Sequence, residues 1–177
     1  MIQNAVGKLS TTLTPSGASG GTYVAIAPNI GLSAGHSFVG YDRVGGQFQD
    51  FAAGTLEYGA ATGVVETIDY LRDYRAIQSS KSIPDEELDT AAANADLVSF
   101  TFSGFSHSPS QLVGLGVFVN SGDYVGREIF ASGFPSASSG YASTAGVTNN
   151  INSARAITSD VGLLPGMSGG PTYIDFL

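Results

Sequence analysis

The feature of this sequence that most restricts its fold is the shortness of its apolar runs. Residues that favour strands, mainly Val, Ile, Thr, Tyr and Phe, recur in short stretches, and turn-forming residues interrupt each one. Glycine alone accounts for 24 of the 177 residues. Many short strands joined by tight turns are typical of antiparallel barrels and sandwiches. We therefore predict an all-β fold.

The predicted strands follow one another along the whole chain. Residues 22–27 (TYVAIA) and 30–33 flank a Pro-Asn turn, so they predict a hairpin with His36 at its far end. Residues 62–74 fit either a strand or a helical stripe. Further strands are predicted at residues 2–9, 47–56, 97–102, 112–119, 127–133, 145–148, 151–158 and 172–177.

Composition and charge exclude several classes of function. The chain is 42% hydrophobic and 12% charged, which is typical of a folded protein. Its formal net charge is −8 and it lacks a basic cluster, so we expect it to bind neither nucleic acid nor an anionic membrane surface. No apolar run is long enough to span a bilayer. Residues 1–20 do not have the pattern of a secretory signal.

The potential metal ligands are few. There is no cysteine, so thiol nucleophiles, thiolate metal sites and disulfides are excluded. The two histidines, His36 and His107, are not spaced as metal ligands. The acidic stretch within residues 79–94 is expected to be a solvated face rather than a calcium loop. We expect neither a metal nor a cofactor.

The segment with the clearest chemical meaning is residues 165–171 (PGMSGGP). A serine between glycines suits a nucleophile on a tight turn, because glycine tolerates unusual backbone angles and lets a substrate carbonyl come close. The backbone amides of Gly166 and Ser168 are then candidates for an oxyanion hole. A glycine-rich loop without a catalytic role is the alternative interpretation.

Chain order decides which serine enzyme this segment fits. An α/β-hydrolase needs its acid and histidine after the serine, and no histidine follows Ser168. The subtilisin order needs an acid before the histidine, and the first acid, Asp42, follows His36. With His36 as the base, the order is histidine, acid, serine. His107 could replace His36 only if the hairpin context is abandoned.

Four motifs in this order resemble those of trypsin- and chymotrypsin-like serine peptidases. Residues 21–36 (GTYVAIAPNIGLSAGH) resemble the histidine motif, and residues 94–100 (NADLVSF) resemble the aspartate motif. Residues 121–125 (SGDYV) with 131–135 (ASGFP) are similar to the opening of the second barrel, and residues 166–171 (GMSGGP) to the Gly-Asp-Ser-Gly-Gly-Pro motif. The resemblance is closest to cysteine-free bacterial branches.

This resemblance implies two antiparallel six-stranded β-barrels, residues 1–105 with His36 and Asp96 and residues 106–177 with Ser168. It implies a secreted or extracytoplasmic serine endopeptidase that acts on protein or peptide substrates through an acyl-enzyme and needs no cofactor. Ser168 is then the nucleophile, His36 the general base and Asp96 the acid that fixes the imidazole tautomer. A catalytically silent binding module with the same fold is the alternative function.

Some positions depart from the family pattern or leave a choice open. Asp73 also precedes an apolar pair and is an alternative acid. Met167 stands where trypsins keep an aspartate that pairs with a freshly cut N-terminus, so the turn must be ordered in another way. Gly162 corresponds to the floor of the specificity pocket, and its lack of charge argues against a preference for Arg or Lys.

The family has two further strands beyond the one that follows the serine, whereas residues 172–177 are the last of this sequence. We therefore expect the second barrel to be incomplete and residues 1–177 alone not to be a competent peptidase. A C-terminal segment or a second chain is expected to complete the fold.

Overall fold

The computed structural model describes residues 2–15, 17–42, 44–71, 74–80, 83–84, 87, 91–92, 95–114, 125–138, 140–151 and 157–174. Strands dominate these ranges, and α1 (Tyr74–Gln78) is a short helix between the sixth and seventh strands. The strands form two antiparallel sheets, which agrees with the predicted all-β class.

The first sheet closes into a six-stranded barrel. In sheet order the strands are β1 (Val6–Thr14), β2 (Ala18–Ala27), β3 (Ile30–Ser33), β7 (Val98–Ser103), β6 (Ala61–Tyr70) and β5 (Gln47–Tyr58), and β5 pairs back onto β1. A further strand, β4 (Val39–Asp42), pairs with β5 outside the closed ring. The predicted hairpin at residues 22–33 is confirmed as β2 and β3.

Alternation of side chains along the strands fills this barrel. In β7, Val98, Phe100 and Phe102 are buried while the residues between them are partly exposed. They pack with other fully buried side chains into one cluster, which includes Leu9, Tyr23, Ala25, Phe38 and Leu56. The Tyr23 ring meets Phe100 edge-on at a centroid distance of 5.9 Å. Burial on one face of each strand therefore fixes which residues point outward.

The second sheet contains β8 (Glu128–Gly133), β9 (Ala142–Ile151), β10 (Ile157–Ser159) and β11 (Thr172–Ile174). Their order is β10-β9-β8-β11, with every neighbouring pair antiparallel. Within the ranges described, this sheet stays open, so the two-barrel prediction is confirmed for the first barrel and only in part for the second. The domain division after residue 105 stays a prediction.

Several predicted elements differ in their bounds. Ile2–Ala5 form a 3₁₀ turn, so the first strand begins only at Val6. In the ambiguous segment 62–74, residues 62–70 belong to β6 and Tyr74 is the first residue of α1, whereas residues 72–73 lie outside the described residues. Residues 112–114 are not in a strand, and the rest of the strand predicted at 112–119 lies outside the described residues. β9 is longer than predicted because it pairs along the whole of β8.

Candidate active site

His36 lies in a 3₁₀ turn directly after β3. Ser33 is opposite Val98 in the pairing of β3 with β7. If that antiparallel register is continued two residues past each strand end, Gly35 comes opposite Asp96. Strand pairing therefore brings Asp96 to His36, although the two are 60 residues apart in the chain.

Asp96 holds His36 through two hydrogen bonds. The carboxylate Oδ2 lies 2.6 Å from the ring Nδ1, and Oδ1 accepts the His36 backbone N–H at 2.7 Å. The hydrogen bond to Asp96 raises the pKa of His36, against the lowering effect of burial. With Nδ1 donating to the carboxylate, Nε2 is left as the proton acceptor of the ring. The His36 side chain is 46% exposed, so this acceptor stays within reach of solvent or a substrate.

Tyr74 packs beside this pair and was missed by sequence reasoning. It is buried at the start of α1, and Gln78 donates a hydrogen bond to its hydroxyl at 3.1 Å. Burial and the neighbouring charge of Asp96 raise the pKa of the Tyr74 phenol. The sequence signal nearby was the alternative acid Asp73, which lies outside the described residues.

The turn that carries Ser168 depends on two glycines with positive φ. Gly166 has a φ of +92° and Gly169 a φ of +82°, which are left-handed conformations that side chains disfavour. Within the turn, the Met167 amide donates to the Leu164 carbonyl at 3.0 Å. The glycines predicted from the serine motif are therefore required by the backbone.

The same turn lies against the hairpin that ends in His36. The Ser168 carbonyl accepts a hydrogen bond from the Thr22 amide at 2.7 Å. A Cβ at Gly169 would overlap Ser33 Oγ and the Thr22 carbonyl oxygen, and it would lie 2.7 Å from the Ala34 amide nitrogen. Only glycine permits this close approach, which places the serine turn next to the segment leading into His36.

The hydrogen bonds of the turn leave the predicted oxyanion donors free within the described part of the chain. Neither the Gly166 amide nor the Ser168 amide donates to another described residue. In these same ranges, no hydrogen bond joins the Ser168 hydroxyl to the His36 ring. The structure thus joins His36 to Asp96 and packs the turn that carries Ser168 against the segment that leads into His36. Among the described residues, the hydrogen bond between Ser168 and His36 is not made.

The residues around the turn bear on the predicted specificity pocket. Gly162 is exposed, and a Cβ there would meet no atom within 4 Å. Leu163 and Leu164, which follow it, are 67% and 47% exposed. Met167 is buried, and a Cβ at Gly133 would lie 3.2 Å from its Cβ. The assignment of Gly162 to a pocket floor stays a prediction.

His107 occupies the aromatic interior of the first barrel. Its side chain is buried, and its Nε2 lies 3.1 Å from the Tyr23 hydroxyl. The rings of Tyr58, Phe102 and Phe105 enclose it at centroid distances of 4.4 to 6.0 Å. Burial lowers the pKa of this ring. This ring is therefore buried in the described part of the chain, and the choice of His36 over His107 as the base stays a prediction.

The ranges given above bear on two other kinds of feature, a metal site and a membrane-spanning helix. No group of three His, Asp or Glu side chains in them could hold a metal ion. No helix in them is long and apolar enough to cross a membrane. That neither metal nor cofactor is needed stays a prediction.

Comparisons with known proteins give a likeness of fold. No protein-family model matches the sequence, and no curated protein matches it. The Rv3671c protease from M. tuberculosis matches in its active form with a TM-score of 0.63 at 13% identity, over 98% of this chain and 66% of that chain. Its inactive form matches with a TM-score of 0.61 at 14% identity, over 98% of this chain and 73% of that chain. A serine endoprotease from Yersinia pestis matches with a TM-score of 0.63 at 12% identity, over 98% of this chain and 50% of that chain.

These matches show that the chain has the fold of trypsin-like serine proteases. The chain spans between 50% and 73% of the length of the three matched structures. Identities of 12 to 14% support the fold and no particular branch of it. Since an active and an inactive form match similarly well, the overall fold does not decide activity.

Proposed function

We propose that this protein is a serine endopeptidase that hydrolyses peptide bonds through an acyl-enzyme intermediate. His36 Nε2 takes the proton of the Ser168 hydroxyl while Ser168 Oγ attacks the scissile carbonyl carbon. The protonated His36 then gives its proton to the leaving amine as the C–N bond breaks. Water, activated by His36 in the same way, attacks the ester and releases the acid product.

The observation that carries this proposal is the pair of hydrogen bonds that the Asp96 carboxylate accepts from His36. One carboxylate oxygen fixes the ring tautomer and the other fixes the backbone of the same residue. A histidine with a structural role alone has no need of a side chain that is 46% exposed and an Nε2 without a hydrogen-bond partner among the described residues. A general base needs both the fixed tautomer and the exposed acceptor.

Ser168 is supported as the nucleophile by the packing of its turn. The Thr22 amide and the close approach of Gly169 hold that turn against the segment before His36. The amides of Gly166 and Ser168 are the proposed oxyanion donors. Hydrogen bonds between a nucleophile and its base are often long without substrate, so we expect the contact between Ser168 and His36 to form when a peptide binds.

The wider setting of this activity belongs to the same proposal. We propose that its substrates are proteins or peptides, that it acts without a cofactor, and that it is secreted or extracytoplasmic. The open sheet β10-β9-β8-β11 is where a further segment or a second chain would add strands.

A fluorophosphonate probe tests the proposal, because it phosphonylates only an activated serine. We expect the folded protein, with its open second sheet completed by the further segment or second chain, to be labelled on Ser168, and the Ser168→Ala variant in the same state to be unlabelled. Ser110→Ala, which removes an exposed hydroxyl from the 3₁₀ turn at Pro109–Gln111, is the matched control and should be labelled fully. Mass spectrometry of the labelled peptide identifies the site. A folded protein with its second sheet completed that the probe leaves unlabelled would refute the proposal.

A catalytically silent binding module is the second candidate. It is favoured by the missing hydrogen bond between Ser168 and His36 within the described residues. For this function we expect no probe labelling together with calorimetric binding of an extended peptide that survives Ser168→Ala. Labelling of Ser168 rules it out.

A further inference from the structure

Thr22 makes four hydrogen bonds to three other segments, namely the serine turn, β3 and the residue that follows β8. Its amide donates to the Ser168 carbonyl at 2.7 Å, and its carbonyl accepts from Ser33 Oγ at 2.7 Å. Its hydroxyl donates to the Gly166 carbonyl at 3.0 Å and accepts the Phe134 N–H at 2.8 Å. The backbone of Thr22 therefore holds the serine, while its side chain holds the residue proposed as the other oxyanion donor.

This side chain lies between the two sheets. Tyr23 points into the core of the first barrel, so the neighbouring Thr22 side chain points outward, towards the second sheet. Thr22 is completely buried, and a Cβ at Gly133 of β8 would lie 2.6 Å from its Oγ1. Water has no room to replace the hydroxyl, and among the described residues its two partners make no other hydrogen bond.

We propose that Thr22 is a positioning residue that keeps the oxyanion turn in its competent form. The proposal rests on the peptidase function given above. Gly166 has no side chain to restrict its backbone, and the peptide that follows it can rotate unless its carbonyl is held. The Thr22 hydroxyl holds that carbonyl and so fixes the peptide unit that lies between the Gly166 and Ser168 amides, neither of which donates to another described residue.

Met167, the residue between Gly166 and Ser168, explains why the turn needs a hydrogen bond from Thr22. Met167 is buried and carries no charge, so it cannot order the turn by an ion pair. A neutral hydroxyl from the first barrel takes over that task. It acts on the turn without touching the substrate, so its loss is expected to lower kcat rather than to raise KM.

Three variants test this role in peptide hydrolysis. Thr22→Val keeps the shape and removes the hydroxyl, and Thr22→Ser keeps the hydroxyl. Tyr23→Phe removes a neighbouring buried hydroxyl whose hydrogen-bond partner among the described residues is His107. We expect Thr22→Val to lower kcat about 10- to 100-fold with KM within about twofold, since loss of one oxyanion donor costs about 100- to 1,000-fold. Thr22→Ser should stay within about threefold of the wild type. Tyr23→Phe should lose stability with kcat within about twofold.

A transition-state analogue separates positioning from general damage. The inhibition constant of a peptide boronate should rise in Thr22→Val by the same factor by which kcat/KM falls. If Thr22→Val does not fold, Thr22→Cys under reducing conditions replaces it, because a thiol is a weak donor. An unchanged kcat in Thr22→Val, or a Thr22→Ser variant as slow as Thr22→Val, overturns the proposal.

Amide hydrogen exchange keeps this test separate from that of the peptidase function. Exchange at Phe134 and in the 164–170 turn should accelerate in Thr22→Val and stay slow in Thr22→Ser. The Ser132 amide, which donates to the Pro171 carbonyl at 3.1 Å, is the internal reference. Absence of probe labelling in the wild type refutes the peptidase function. Unchanged Phe134 exchange in Thr22→Val refutes the role of Thr22, whatever the activity.

Discussion

Replacement of Asp96 by asparagine tests the central contact of the site. The asparagine carbonyl oxygen can still accept the His36 backbone N–H, which Asp96 Oδ1 accepts at 2.7 Å. Its NH₂ group then faces Nδ1, where Asp96 Oδ2 lies at 2.6 Å. Because the amide can only donate there, Nδ1 must become the acceptor and the ring proton moves to Nε2. The substitution leaves the position of the ring intact and reverses its tautomer.

The expected loss follows from that reversal. With a proton on Nε2, the ring cannot take the Ser168 proton, and a wrong tautomer of this kind costs about 10⁴-fold in kcat. That factor corresponds to about 5 kcal/mol of transition-state stabilisation. The pH profile should change as well. The hydrogen bond to Asp96 raises the pKa of His36, so wild-type kcat/KM should rise with pH through a value above about 6.5, and the asparagine variant should have its acid limb at lower pH.

Steady-state hydrolysis of a fluorogenic peptide between pH 5 and 9 measures both effects. The His36 pKa itself is followed by NMR of the ring protons. Asp69→Asn, which neutralises an exposed carboxylate on β6, is the control and should retain full activity. A kcat within tenfold of the wild type in Asp96→Asn, or an unchanged His36 pKa, would refute the assignment of Asp96 as the acid. Asp73 would then be the remaining candidate for that role.

Three further predictions concern the nucleophile, the turn and the buried histidine. In the active enzyme, Ser168→Ala should lower kcat about 10⁶-fold, and single-turnover kinetics would contradict us if substantial acylation remained. In urea unfolding, Gly169→Ala should cost about 2–5 kcal/mol, from its left-handed φ plus overpacking against Ser33 and Thr22. Gly59→Ala, with a φ of +58° and no atom within 4 Å, should cost only about 1–2 kcal/mol, and equal losses would show that the docking of the turn is loose. His107→Phe should retain activity. Because burial lowers the pKa of His107, wild-type stability should fall as the pH drops from about 6.5 towards that lowered value, and the Phe variant should lose this dependence.

Local pattern in the sequence was sufficient for most of the first barrel. The run at residues 97–102 predicted the strand that became β7, and the Pro-Asn turn predicted the hairpin of β2 and β3. Both signals act between near neighbours, so they survive without knowledge of the fold. The type of element was left open in residues 62–74, because their apolar residues fit both a strand and a helical stripe.

The sequence also supplied the candidate groups of the site and could not choose among them. Asp73 and Asp96 both precede apolar residues, and the register of β3 against β7 is what brings Asp96 to His36. Tyr74 and Thr22 carried no recognisable signal, because their partners are created by packing.

The sequence by itself determined an all-β chain and a serine on a glycine-rich turn. Tertiary structure alone decided which side chains meet there. Thr22 and Gly166 are 144 residues apart, and their hydrogen bond exists only because the first barrel packs against the second sheet. Short-range preference depends on each residue and its neighbours, whereas such contacts depend on strand register and on how two sheets pack, which no local pattern encodes.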